Sequence, residues 1–294
     1  MDQAERLRTI IKQQNQASRP TARVLTVTSG KGGVGKSNVS INLAVQLTKM
    51  GQRVIIFDAD FGLANIEVMF GAIPKHNLSD LIYQGKNIRE IITKGPMDIG
   101  FISGGSGIAG LSNLGRDYIN YLIQNLAELD ALADTIIIDT GAGIHDAVLE
   151  FLVASGEVLL VTTPEPTSIT DSYSLLKALN RHPRFHKEMT SVKVITNKTK
   201  NLEEGKQLFN KLNAVVSRYL KLPISYIGCI PEDQALVKAV MQQSPVSIQS
   251  PGAKSAQAFE LLARSLVNNH QDPVFVKSGM AGFFANIVRG KNII

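Results

Sequence analysis

The chain has 294 residues, of which 44% are hydrophobic and 19% charged, a balance that excludes an intrinsically disordered protein. Its net charge of +6 would suit an anionic partner such as a membrane or nucleic acid, but no dense Lys/Arg block is present, and we favour a solvated mixed-charge surface. The single cysteine, Cys229, excludes an internal disulfide and any zinc or iron–sulfur site made from paired cysteines of one chain.

The first 20 residues are polar and rich in Gln, without the apolar stretch of a secretory signal, so we expect a protein of the reducing cytosol. A short amphipathic stretch (Ala4, Leu7, Ile10, Ile11) precedes a polar linker that ends at Pro20. We therefore treat residues 1–20 as a segment outside the main domain. Uncharged apolar runs such as residues 158–164 are far shorter than a bilayer-spanning helix requires.

Short β-branched runs alternate with helical patterns through the rest of the chain. The runs predict buried parallel strands at residues 24–28, 54–57, 99–102, 135–138, 158–162, 192–196 and 224–230. The helical patterns cover residues 39–50, 116–132, 173–180 and 205–220. This alternation predicts an α/β domain over residues 21–272, with a doubly wound, mostly parallel sheet flanked by helices and ligands at the carboxyl ends of its strands.

Residues 30–37 read GKGGVGKS and match the phosphate-binding pattern GxxxxGK[ST], directly after a strand and before a helix. Backbone N–H groups of such a loop surround phosphates, and the helix N-terminus adds a positive dipole. We expect Lys36 to reach the β- and γ-phosphates and Ser37 to bind Mg²⁺. A turn that only joined strand to helix would require neither side chain. The predicted binding residues here are Gly30, Lys31, Gly32, Gly33, Val34, Gly35, Lys36, Ser37 and Asn38.

The loop contains a lysine besides Lys36, and this residue, Lys31, helps to identify the family. The segment resembles the deviant Walker A motif of the MinD/ParA superfamily of P-loop ATPases. In that superfamily the lysine reaches across an ATP-bound homodimer to the partner's phosphates. The resemblance therefore implies a catalytic role for Lys31 and an ATP-dependent homodimer; the alternative is a solvated loop lysine.

Acidic residues follow two of the predicted strands. Asp58 and Asp60 come after residues 54–57, and Asp139 ends an apolar run before Gly141 and Gly143. The resemblance implies that Asp60 orients the attacking water and that Asp139 holds Mg²⁺ through water, while the glycines let the loop respond to the γ-phosphate. Asp58 would either accompany Asp60 in the site or cap the next segment. The predicted Mg²⁺ residues are Ser37, Asp60 and Asp139.

The nucleotide base is predicted from residues 197–200, which read NKTK. Guanine-reading loops of the form NKxD end in an acid, whereas Lys200 has only donors and cannot accept hydrogen bonds from guanine. ATP is therefore the predicted nucleotide. The MinD/ParA resemblance implies that Asn197 contacts adenine and that Pro231, Glu232 and Asp233 close the base pocket; a simple Pro-Glu-Asp turn is the alternative.

Residues 273–294 contain an apolar stripe at helical spacing. Its members are Val276, Met280, Phe283, Phe284, Ile287 and Val288. With Lys277, Arg289 and Lys291 nearby, the pattern is typical of an amphipathic helix that lies on anionic lipids at the inner face of the cell membrane. The alternative is a terminal helix docked on the protein's own core.

Residues 2–8 read DQAERLR. They resemble the N-terminal motif of the flagellar-number regulators among MinD-like ATPases, the group called FlhG, FleN or YlxH. In that group the motif stimulates the signal-recognition-particle-type GTPase FlhF. The resemblance implies this partner for Asp2, Gln3, Ala4, Leu7 and Arg8; otherwise the segment would pass as a terminal tail. The DTGAGI form of residues 139–144 supports the same group.

These observations favour a slow, dimer-dependent ATPase that acts as a membrane-binding switch. The alternatives are a division-site MinD and a DNA-partitioning ParA. The apolar terminal stripe argues against ParA and therefore against nucleic acid as a partner. Iron–sulfur carriers with the same loop require paired cysteines, which this chain does not have.

Overall fold

A mostly parallel β-sheet organises the part of the chain that the structure describes. The computed structural model describes residues 21–60, 65–105, 116–268 and 279–289. The sheet has the strand order β3-β4-β2-β5-β1-β6-β7-β8. The strands are β1 (Arg23–Ser29), β2 (Val54–Ala59), β3 (Thr93–Lys94), β4 (Gly100–Ser103), β5 (Thr135–Ala142), β6 (Glu157–Thr162), β7 (Ser191–Thr199) and β8 (Ile224–Pro231). The predicted α/β sheet is confirmed; the two-residue β3, which pairs antiparallel with β4, was not predicted.

Helices connect the strands and continue after β8. They are α1 (Lys36–Lys49), α2 (Asn65–Phe70), α3 (Leu78–Tyr83), α4 (Ile88–Ile91), α5 (Arg116–Ala127), α6 (Leu129–Leu132), α7 (Asp146–Ala154), α8 (Pro166–Arg181), α9 (Leu202–Tyr219), α10 (Gln234–Met241), α11 (Val246–Gln249), α12 (Lys254–Asn268) and α13 (Gly279–Arg289). The predicted helix over residues 116–132 is divided at Glu128 into α5 and α6.

The helices cover both faces of the sheet, which explains why the central strands are apolar without alternation. Ile136, Ile137 and Ile138 of β5 are all fully buried. Ile137 belongs to the core that includes Phe259 of α12, whereas its two neighbours belong to the core that includes Leu122 of α5. Successive side chains of a strand point to opposite faces, so a strand with two covered faces needs an unbroken apolar run.

The last described helix, α13, packs on the second face of the sheet. Met280, Phe283, Phe284 and Ile287 are at most 5% exposed and belong to the core there. The face that the sequence assigned to a membrane is therefore docked on the protein's own core in this structure, as in the alternative interpretation. Val276 and the side chain of Val288 lie outside the described residues.

Polar contacts hold both ends of α13. Asp130 accepts hydrogen bonds from the Met280 N–H at 2.8 Å and from the Ala22 N–H at 3.3 Å. At the other end, Arg184 donates to the Asn286 carbonyl oxygen at 2.9 Å. The docked helix is thus held to α6 by Asp130, which also binds the residue before β1, and to the loop after α8 by Arg184.

The structure bears on the predicted membrane and partner segments as follows. In the described part of the chain, no helix combines the length and apolar character needed to cross a bilayer. The N-terminal segment of residues 1–20, including Asp2, Gln3, Ala4, Leu7 and Arg8, lies outside the described residues.

Candidate functional site

The loop of residues 30–37 depends on glycine at two positions for different reasons. A Cβ on Gly30 would lie 2.2 Å from the backbone carbon of Asp171 in α8, so only glycine permits this close approach. Gly35 has φ of +94°, and a Cβ there would lie 2.4 Å from the side-chain nitrogen of Asn197. The loop is therefore clamped between α8 and the end of β7.

The first turn of α1 is suited to an anion. Gly35 provides no side-chain cap, and the first turn has no acidic residue, so its N–H groups are available to phosphate oxygens. Lys36 is 8% exposed. Burial lowers the pKa of Lys36, while the nearby carboxylates of Asp139 and Asp60 act in the opposite direction. The structure thus brings together the lysine and two acids that the sequence placed far apart.

Asp139 lies at the base of the loop, fully buried. Burial raises its pKa to about 6, although hydrogen bonds from Ser37 and Ser40 and the charge of Lys36 oppose the shift. Ser40 donates to Oδ1 at 2.8 Å. The other oxygen, Oδ2, is buried without a hydrogen-bond partner in the described structure. Sequence reasoning missed Ser40, whose signal is its position one helical turn after Ser37.

This arrangement fits Mg²⁺. The unpartnered Oδ2 of Asp139 and the hydroxyl of Ser37 are hard oxygen donors, the type that Mg²⁺ prefers. The described residues include no group of three or more His, Cys, Asp or Glu side chains that would hold a metal alone. Such a site suits Mg²⁺, which usually keeps several waters and shares its coordination with nucleotide phosphates.

Asp58 has the structural role among the acids. Its carboxylate accepts the Asp60 N–H at 3.1 Å and the Ile66 N–H at 3.4 Å, so it fastens both sides of residues 61–64. Burial, reinforced by the charge of Asp139, raises the pKa of Asp58 to about 8. These contacts favour the capping interpretation of Asp58.

Asp60 is only half-buried, whereas Asp58 and Asp139 are buried. Asn65 donates to its Oδ2 at 3.3 Å. A Cβ on Gly141 would lie 3.5 Å from Asp60 Oδ1, so the segments after β2 and β5 meet at this carboxylate. A ligand bound at Asp60 would therefore contact both the segment after β2 and the segment after β5.

Lys31 does not extend freely into solvent. Its ammonium group donates to Glu165 at 2.5 Å and to Thr167 at 2.8 Å, and its side chain is 34% exposed. Both partners lie at the beginning of α8. Sequence reasoning missed them; the available signal was an acid shortly after β6, on the edge where ligands bind.

A cavity of about 450 Å³ extends from the loop to α10. Apolar side chains of α10 form one wall, and Asn197, Pro231 and Glu232 lie in the lining. Asn197 donates to the Val34 carbonyl oxygen at 2.7 Å, which ties this cavity to the phosphate loop. Lys198 makes a similar link to the Gly33 carbonyl oxygen at 2.9 Å. An apolar wall with a few polar groups suits a nucleotide base.

Asp233 has a second task beside lining this cavity. One carboxylate oxygen accepts the Ala235 N–H at 2.9 Å and caps α10. The other accepts the Ser255 hydroxyl at 2.8 Å. Asp233 thereby fixes α10 against α12, which combines the predicted pocket role with the turn-forming alternative.

Sequence comparison relates the chain to known proteins. Residues 21–267 match the family model described as ParA, NUBPL iron-transfer P-loop NTPase. The antiactivator FleN of Pseudomonas aeruginosa is 41% identical over 83% of this chain and 86% of its own length. The flagellum site-determining protein YlxH of Helicobacter pylori is 31% identical over 98% of each chain.

Structural comparison gives the same fold. A MinD from Pyrococcus horikoshii, solved with Mg-ADP, superposes with a TM-score of 0.65 at 23% identity and covers 83% of this chain and 96% of its own. A ParA family ATPase from Chlorobium tepidum gives a TM-score of 0.66 at 20% identity, covering 85% of this chain and 100% of its own. At these identities the structural likeness concerns the fold alone.

Proposed function

Because the chain belongs to the ParA/MinD family of P-loop ATPases, we propose that it is an ATP-dependent dimerising switch that regulates flagellar number or placement. The observation that carries the nucleotide part is the proximity of Lys36, Asp60 and Asp139 at the start of α1, whose first turn contains no acidic residue. Adenine would occupy the cavity beside α10, and the phosphates would lie at the N-terminus of α1.

The side chains divide the work of hydrolysis. Lys36 would contact the β- and γ-phosphates, and Ser37 with Asp139 would hold the magnesium ion. When bound, Mg²⁺ neutralises phosphate charge. Asp60 orients the water, because no glutamate follows Asp139 to serve as the base.

On dimer formation, the Lys31 side chain would exchange its present partners for a phosphate of the other chain. In the single chain its ammonium group is satisfied by Glu165 and Thr167 at the surface. A partner's γ-phosphate offers it a stronger anionic acceptor, so the lysine would leave Glu165 when two ATP-loaded chains meet. A dimer stabilised in this way depends on ATP rather than ADP.

Asp60→Ala tests this switch. We expect the variant to bind ATP but to hydrolyse it about a hundredfold more slowly, because the water loses its acceptor. Size-exclusion chromatography with ATP should then show an accumulated dimer, while ADP leaves a monomer. The exposed Asp98→Asn serves as the control; Asn also tolerates the positive φ of this position, and the variant should behave as the unaltered chain. A monomeric Asp60→Ala protein in saturating ATP would contradict the proposal.

The docking of α13 suggests how ATP would control membrane binding. The ring of Phe57, one residue before Asp58, lies 5.8 Å from that of Phe284. The ring of Phe151, on the helix that follows the loop after β5, lies 5.9 Å from that of Phe283. Both segments that sense the γ-phosphate therefore continue into aromatic contacts with α13. A shift of either segment would loosen the helix, which would then bind anionic lipids at the cytoplasmic face of the membrane.

The flagellar assignment rests on the relatives and on the N-terminal motif. FleN and YlxH are 41% and 31% identical to the chain, whereas a septum site-determining MinD of Synechocystis is 28% identical. We propose that the DQAERLR segment of this chain binds the GTPase FlhF. The apolar side chains of Ala4 and Leu7 would pack against FlhF, and Arg8 would bring a positive charge to its active site.

Deleting residues 1–20 separates this role from the ATPase. We expect the shortened chain to bind and hydrolyse ATP as before, because all the residues assigned to the nucleotide site lie from Gly30 onwards. Stimulation of FlhF GTP hydrolysis should fall to the unstimulated rate in a phosphate-release assay. A shortened chain that still stimulates FlhF would refute the assignment. Arg8→Ala in the full chain, with Arg6→Ala as its matched control, tests the charge itself.

A further inference from the structure

A group of exposed cations lies at the end of the sheet opposite the nucleotide site. The helices α8 and α9 run from the carboxyl ends of β6 and β7 to the other end of the strands. The side chain of Asn180 donates to the Leu220 carbonyl oxygen at 3.1 Å, so the last turns of these helices lie side by side. We call the exposed residues on and beside these turns the basic edge; they are Arg181, Lys187, Arg218 and Lys221.

The charge of the basic edge is poorly neutralised. Residues 172–187 contain no Asp or Glu, and neither do residues 205–231; Glu188 is the exposed acid that adjoins the edge. Among the described residues, none of the four cations forms an ion pair with a carboxylate. Elsewhere on the surface, Arg53 and Arg264 do form such pairs. The edge therefore presents a local positive potential.

The basic edge is continuous with the docked α13. Arg184, in the loop that follows α8, donates to the Asn286 carbonyl oxygen and also pairs with Glu150. Exposed apolar and aromatic groups lie among the cations, with Met189 53% and Tyr219 64% exposed. The Arg218 guanidinium lies 5.4 Å from the centre of the Tyr219 ring. Cations mixed with aromatic and apolar side chains suit the headgroup region of a bilayer better than the phosphate backbone of a duplex.

We propose that the basic edge is a second lipid-contact surface, which binds anionic phospholipid headgroups while α13 enters the acyl boundary. This inference rests on the proposed membrane role of α13. It explains why a single short helix would suffice, since stable attachment of a protein to a membrane usually needs an apolar anchor together with a cluster of cations. Arg184, which lies three residues after Arg181 of the edge, contacts Asn286 of α13, so the basic edge and the docked helix adjoin each other.

The test is co-sedimentation of the full chain, with ATP, on phosphatidylcholine vesicles with and without phosphatidylglycerol. The double variant Arg181→Glu with Lys221→Glu should bind the anionic vesicles at least about tenfold more weakly than the unaltered chain, because each cation near such a surface contributes measurably. The matched control, Lys75→Glu with Lys206→Glu, changes the net charge equally at exposed positions away from the edge and should bind as the unaltered chain. Both variants should retain ATP binding and their melting temperature.

The outcomes distinguish the surface from the membrane role. If the unaltered chain binds neither vesicle type with ATP, the proposed membrane role and the basic edge are both overturned. If it binds anionic vesicles and the Arg181/Lys221 variant binds them equally well, only the edge is overturned. Loss of a DNA gel shift in this variant with vesicle binding intact would assign the surface to nucleic acid and also overturn the proposal.

Discussion

Lys36→Ala should lose ATP binding by about three orders of magnitude, since charge-assisted hydrogen bonds to two phosphates together contribute about 4 kcal/mol. The physical reason is specific to its position. Lys36 is buried between the N-terminus of α1 and the carboxylates of Asp60 and Asp139. Alanine leaves those acids facing a triphosphate without the cation that separates the like charges. Isothermal titration calorimetry with Mg²⁺ and ATP measures the effect.

Lys31→Ala is the matched control, because it removes a lysine from the same loop. The Lys31 ammonium group contacts Glu165 and Thr167 rather than the buried acids. We expect this variant to bind ATP with nearly unchanged affinity as a monomer and to fail to dimerise. If both variants lost ATP binding equally, the proposed division between a binding lysine and a dimer lysine would be wrong.

The sheet and the phosphate loop were accessible from sequence because their causes are local. A strand covered on both faces must be apolar throughout, so an unbroken apolar run such as residues 135–138 indicates a buried strand. The glycines, the lysine and the serine of GKGGVGKS are required by backbone shape and charge within eight consecutive residues. The rule that ligands bind at the carboxyl ends of parallel strands then placed Asp60 and Asp139 beside the loop.

Contacts between distant segments were not accessible in the same way. The apolar stripe of α13 has the same spacing whether it faces lipid or a protein core. Its docking on the core depends on contacts with Phe57 and Phe151, which are distant in sequence. The partnership of Lys31 with Glu165 likewise joins residues 134 positions apart. The short helices α10 and α11 carry too few turns for periodicity to identify them.

A buried ion triad joins three strands at the end of the sheet away from the nucleotide. Glu157 of β6 lies 2.6 Å from Arg23 of β1 and 2.8 Å from Lys193 of β7. Arg23 also donates to the Leu266 carbonyl oxygen at 2.8 Å near the end of α12. All three charged side chains are at most 12% exposed. The carboxylate is thus the anion that allows two cations to remain in the interior.

Glu157→Gln should lower the free energy of unfolding by about 3–5 kcal/mol, because it keeps the shape but leaves two buried cations without an anion. Asp134→Asn breaks the exposed pair with Arg53 and should cost less than about 1 kcal/mol. Urea unfolding at pH 7 measures both, and an unchanged m-value shows that stability alone has changed. Equal, small effects of the two substitutions would mean that the triad contributes no more than a surface pair.

The difference between the unaltered chain and Glu157→Gln should also depend on pH. Burial would raise the pKa of Glu157, but hydrogen bonds and charges from Arg23 and Lys193 outweigh it and hold the pKa below its usual value. A carboxylate with a lowered folded-state pKa contributes its full stabilisation above the unfolded value of about 4.3 and loses it as the pH falls through the folded value. The two unfolding free energies should therefore differ most at neutral pH and converge below about pH 4, where protonated Glu157 resembles the glutamine that replaces it. A difference that stayed constant down to strongly acidic pH would show that packing, rather than the charge of Glu157, maintains this end of the sheet.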